Sequence, residues 1–159
     1  MAATGRAAQA PNQTAASPPY ASLQLRIVAA ILDAIVLVSF FMLFVAAGGL
    51  QTLLRSDGDP PESAFYIWAG FIVAFIPAGL LYFTLLWSRR GQTVGMMAVH
   101  INVTRRDGGR LSFGRALLRT LAWPLSVLPL GLGLVTIFMD EEHRALHDHL
   151  AGTTVLELP

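Results

Sequence analysis

Cysteine is absent from the 159 residues, which excludes disulfides, thiolate metal centres and a cysteine nucleophile. Lysine is absent too, so all eleven basic residues are arginine. Charged residues make up only 13% of the chain and hydrophobic ones 54%, far from the balance of an ordinary soluble domain. The signatures of common enzyme classes are missing: no Gly-x-Ser-x-Gly, no phosphate-binding loop and no His-Glu-x-x-His. Basic residues interleaved with aromatics, or a recognisable nucleic-acid module, are missing as well. The expectation is a protein that is not an enzyme, carries no cofactor and binds no nucleic acid.

What the chain does have is long apolar runs. The first, Leu25 to Gly49, organises the rest: between Ile27 and Ala47 lie 21 residues of which only Asp33 is charged. A bilayer core takes about 20 apolar residues of helix. Arg26 at the entrance and Asp33 inside are seven residues apart, so on a helix they share a face, about 10 Å apart along the axis. A carboxylate at that depth costs several kcal/mol unless paired, roughly 3 on insertion scales. It should therefore face protein or water, accepting from Arg26, Arg119 or a hydroxyl such as Ser39, or serving as a cation or proton site. The run is too long for the apolar core of a signal peptide, so it reads as an anchor despite Val45-Ala46-Ala47, which loosely resembles a cleavage site. Residues 1–22, rich in Ala, Pro, Gln, Thr and Ser, read as a disordered tail before a membrane domain over 23–158.

The second run, Ala64 to Trp87, is uncharged, with Tyr66 and Trp68 at one end, Tyr82 and Trp87 at the other, and Pro77 as a candidate kink. The loop before it, Gln51 to Ser63, has a net charge of −2, whereas Ser88 to Ala116 carries +5. The positive-inside rule then puts the 88–116 segment and the amino terminus in the cytoplasm of a multi-pass protein of the cell membrane. Within that segment Val99, Ile101 and Val103 alternate with polar residues, predicting a short strand before the turn residues Asp107-Gly108-Gly109. Thr153 to Leu158 is a β-prone partner for it. The third run, 117–139, is crowded by Pro124, Pro129, Gly131 and Gly133. It reads either as a kinked span or as a re-entrant helix pair. The acidic trio Asp140-Glu141-Glu142 points outside and the strand pairing inside, and the balance falls to a cytoplasmic carboxyl end. The fold class is thus an all-α membrane protein: two spans, a third broken apolar segment and a small cytoplasmic β element.

His143 and His147 stand four residues apart beside His149, a spacing that on one helix face can bind zinc. No further ligands converge in the sequence, so the group reads as a solvated, pH-responsive tail with no metal.

Taken with Leu-His-Asp-His-Leu-Ala-Gly-Thr around Asp148, these features resemble the RDD family of small membrane proteins. That family is named for one arginine and two aspartates, and Arg26, Asp33 and Asp148 stand in those places. Gly91-Gln92-Thr93-Val94-Gly95, which reads locally as a turn capping a short interfacial helix, also fits, as do Asp107-Gly108 and Arg115 with Arg119; His147 falls on the pattern beside Asp148. Met96 and Met97 depart from it, standing where a basic residue is expected. The resemblance implies transport of an unidentified ligand through a site using Arg26, Asp33 and Asp148. The alternative is a structural or accessory membrane subunit in which these charges only hold helices and tail together. Two or three helices enclose no pathway easily, so a transporting form should be a homo-oligomer or join a membrane partner subunit, with Asp33 at the interface between subunits.

Overall fold

A computed structural model describes residues 20–55, 62–127 and 132–159. The expected disordered tail up to residue 19, and Asp57, Asp59, Pro60, Pro61, Pro129 and Gly131, lie outside the described residues.

Two long helices form one arm of the molecule. Helix α1 runs over Leu23–Arg55 and α2 over Glu62–Arg90, continuing through Pro77. Ser22 starts α1, its Oγ accepting from the Leu25 N–H at 3.4 Å. The helices face each other through aromatic pairs, Phe41 with Phe75 and Phe44 with Phe71, at centroid separations of 4.9 and 5.8 Å. Only 11% and 6% of their most apolar stretches are buried inside the chain. Core helices of a water-soluble protein would be mostly covered, and apolar side chains such as Leu43, Phe65 and Ile76 are instead more than half exposed. Both helices are long and apolar enough to cross a membrane.

The remaining elements gather at the Arg26 end of α1. Thr93 caps the five-residue helix α3, Val94–Ala98, with its side chain accepting from the Met96 N–H, so the expected cap is present. Strand β1, Ile101–Arg105, then pairs antiparallel with β2, Thr153–Glu157, with Val103 opposite Val155. The strand expected from the period-2 pattern begins two residues late. Val99 is spent on ending α3 and His100 turns the corner at φ 54°. The chain just before α1 joins the same sheet: Tyr20 bridges Leu156, and the Ala21 N–H donates to the Val155 carbonyl at 2.9 Å.

The third apolar run divides into α4, Phe113–Val127, and α5, Leu132–Met139. Helix α5 packs back on α4, with Gly133 so close to Ser126 that an added Cβ would lie 2.5 Å from the Ser126 Cα. Helix α6, Leu146–Ala151, packs on α4 in turn and leads into β2. The chain therefore returns, after α5, to the end of the molecule at which β1 lies. Ile101, Val103 and Val155 are completely or almost completely buried in a small core with Ala21, Ala29, Trp87 and Met96.

Candidate functional site

Two buried carboxylates anchor this end of the molecule. Asp148, on α6, is fully buried. Its Oδ2 accepts from Arg26 Nη1 at 2.7 Å and from the Ala145 N–H at 3.1 Å, the latter closing the first turn of α6. Its Oδ1 pairs with Arg119 Nη1 and accepts from Thr153 Oγ1 at 3.2 Å. One carboxylate thus joins α1, α4, α6 and β2. Burial pushes its pKa up, but the Arg119 guanidinium, with His147 and Arg26, outweighs this and holds it down to about 2. Arg119 is itself fixed from two more sides: it donates to Thr153 Oγ1 at 2.6 Å and lies over the Trp87 ring, 4.8 Å from its centroid. Arg26 Nε donates to the Ala21 carbonyl at 3.2 Å.

Asp33 is buried as well, 2% exposed, but its partners carry no charge. Oδ1 accepts from the Gly95 N–H and from the Tyr82 hydroxyl, both at 2.8 Å; Oδ2 accepts from Thr93 Oγ1 at 2.5 Å. Thr93 precedes α3 and Gly95 lies in its first turn, so Asp33 supplies from α1 a second acceptor for the opening turn of α3. Gly95 is required there, because a Cβ would run into the Ala29 carbonyl oxygen of α1. Arg26, Arg119 and Ser39, the donors expected for Asp33, are not its partners. Arg26 turns the other way, toward the tail. Asp33 points into its own chain.

His147 is buried, not part of a solvated tail. Its backbone N–H donates to Ser126 Oγ at 3.1 Å, and Ser126 Oγ lies 2.8 Å from its Nδ1. Burial, then the Arg119 charge, lowers its pKa to about 4. The ring is therefore neutral near pH 7, and the serine proton is free to bond Nδ1. His143 does not share a helix face with it. It sits in the turn before α6 at φ 50°, its ring nitrogen Nδ1 3.0 Å from the Ile137 carbonyl. Arg115 is exposed, near Gly152.

The chain matches the model of the RDD family over residues 20–152, most of its length. The chain belongs to the RDD family. This is a family of membrane proteins, in keeping with the two long apolar helices. No curated protein and no solved structure matches the chain. Of the three charges that carry the family's name, Arg26 and Asp148 meet in a direct ion pair, while Asp33 stands apart with neutral donors.

Sequence reasoning missed the supporting shell: Tyr82, Trp87, Thr153, Ser126 and the backbone of Gly95. Tyr82 and Trp87 read as an aromatic belt, yet Trp87 is buried, its indole N–H 3.4 Å from Met96 Sδ. Met96, where the family pattern expects a basic residue, so packs beneath the tryptophan that carries Arg119.

Proposed function

We propose that this RDD protein is a multi-pass, non-catalytic membrane component in which Arg26 and Asp148, two of its three named charges, form with Arg119 an internal lock, fastening the carboxyl-terminal tail to the start of the first span. The observation that carries this reading is Asp148: two guanidiniums and two neutral donors from α1, α4, β2 and the start of α6 converge on one buried carboxylate. Such a group has little coordination capacity left for a transported cation. Asp33 favours the same conclusion, with three of its roughly four lone-pair positions occupied.

The lock also favours a topology. The amino terminus, the basic 88–116 segment and the tail lie on the cytoplasmic side of the cell membrane, and α4–α5 is a re-entrant pair. The β1–β2 pairing and the 3.0 Å ion pair between Arg106 and Glu142, which brings the acidic trio against the basic segment, support this. The test is sided labelling of single cysteines at Ser112, Glu62 and Leu150. Labelling of Leu150→Cys from the side that labels Ser112→Cys supports the reading; labelling from the side of Glu62→Cys defeats it.

A second reading, transport of a ligand past Arg26 and Asp33 in a homo-oligomer or with a membrane partner subunit, is favoured by one observation. A cavity of about 510 Å³ is lined by both residues. In proteoliposomes it requires a flux that Asp33→Asn abolishes while the fold survives.

A further inference from the structure

The same cavity has a polarity gradient. Its lining on α1 runs from Leu23 to Leu37 and on α2 from Trp87 back to Phe75. From Arg26 up to Leu37, a rise of eleven residues, the wall is roughly 16 Å tall at 1.5 Å per residue. At the foot stand Arg26 and Arg119, with Trp87 and His147. Above them the walls are apolar except Asp33, whose oxygens are taken by Tyr82, Thr93 and Gly95, and Thr120, whose hydroxyl bonds the Ala116 carbonyl. The foot is positive: two guanidiniums share the one carboxylate of Asp148. It is also short of acceptors. Arg26 Nη2 and Arg119 Nε are buried, and among the described residues neither finds a hydrogen-bond partner. A buried donor without a partner has lost its water and gained nothing in return, so an acceptor brought to it is stabilising.

We propose that this cavity is a binding site for an anionic lipid drawn from the bilayer, its acidic head at Arg26 and Arg119 and one acyl chain between α1 and α2. The charged foot lies at the end of the spans where head groups sit, and the apolar wall runs toward the bilayer centre, so the lipid enters without turning over. Both orphan nitrogens are covered by protein, so the head meets them after a small side-chain rotation. The proposal rests on the lock, which holds the two guanidiniums together, but asks of them something the lock does not need.

Trp87 in the foot serves as a reporter once Trp68 and Trp123 are replaced by Phe. The full-length chain is placed in phosphatidylcholine vesicles doped with either brominated phosphatidylglycerol or brominated phosphatidylcholine. The expected result is an enrichment of the anionic lipid beside Trp87 of about tenfold, a factor that two charge-assisted hydrogen bonds readily supply. Gly79→Phe should abolish that preference, since Gly79 lines the cavity and a Cβ there meets nothing within 4 Å. Equal quenching by both lipids overturns the proposal. So does a preference that survives Gly79→Phe, which would assign it to the surface arginines, or one abolished by inorganic phosphate, which would mark a site for the free anion. A second copy of the chain filling the cavity would leave Trp87 unquenched by either lipid, and also overturns it. Folding of Gly79→Phe is read separately from a Tyr20→Cys/Leu156→Cys disulfide across the sheet. Loss of that crosslink in the unfilled protein would condemn the lock, whatever the lipid preference.

Discussion

Asp33 and Asp148 are two buried carboxylates in one small protein, and they are stabilised in opposite ways. Asp148 is held by cations, Arg26 and Arg119, with neutral donors filling in. Asp33 is held by a phenol, a threonine hydroxyl and one peptide N–H. The first arrangement tolerates no loss of charge, because removing the carboxylate leaves two guanidiniums buried against each other. The second is a polar cap in which charge strengthens bonds that a neutral acceptor would still partly make. The difference separates a lock from a helix cap, although the family is named for both aspartates alike.

The largest effect should come from breaking the lock. Asp148→Asn is expected to cost about 3–5 kcal/mol, the usual penalty for orphaning buried charge. Thermal unfolding in detergent checks this, with tail proteolysis as a second readout. Exchanging Arg26 and Asp148 should not restore stability, because the new arginine would face Arg119.

Next comes Asp33→Asn, whose amide presents one acceptor and one donor where three donors converge. Its expected cost is about 1–3 kcal/mol. A loss as large as that of Asp148→Asn, read in the same unfolding assay, would erase the distinction between the two sites.

Acid sharpens the comparison from the lock side. The folded value of His147, about 4, lies below its ordinary 6.5, so the unfolded chain takes up that proton first. Stability is full above pH 6.5 and falls as pH drops toward 4. Asp148, lowered from 3.8 to about 2, then adds a second fall across that lower window. Unfolding followed against pH should lose its upper step in His147→Gln and keep the lower one in reduced form, because Arg119 and Arg26 still hold Asp148 down.

The smallest effect belongs to Tyr82→Phe, which removes one of three donors to Asp33. About 0.5–1.5 kcal/mol is expected, without change in the acid profile between pH 6.5 and 4.

The two long apolar helices, the β1–β2 pairing and the cap before α3 were legible because hydropathy, alternation and turn chemistry are local signals. The pairing of Arg26 with Asp148 was legible as a possibility, through the family resemblance. The partners of Asp33 were not. They come from α2 and from the cap and first turn of α3, 49 to 62 residues away, and Tyr82 at the end of an apolar run looks like any interfacial aromatic. His147 misled for a related reason. Beside two other histidines and Asp148 it has the composition of a solvated tail, and its burial depends on α6 packing against α4. Arg119 is legible as a motif position, but its place over Trp87 needs the α2–α4 contact that no periodicity encodes.

The most direct measurement is oxidative crosslinking of Tyr20→Cys with Leu156→Cys in intact membranes, which the cysteine-free chain makes unambiguous. Residues opposed across an antiparallel bridge bring their Cα atoms about 4.5–5.5 Å apart, within disulfide reach. A disulfide that forms readily, and is lost on adding Asp148→Asn, is the predicted result. Absence of the crosslink in the otherwise unaltered chain, or its persistence without Asp148, would contradict the lock.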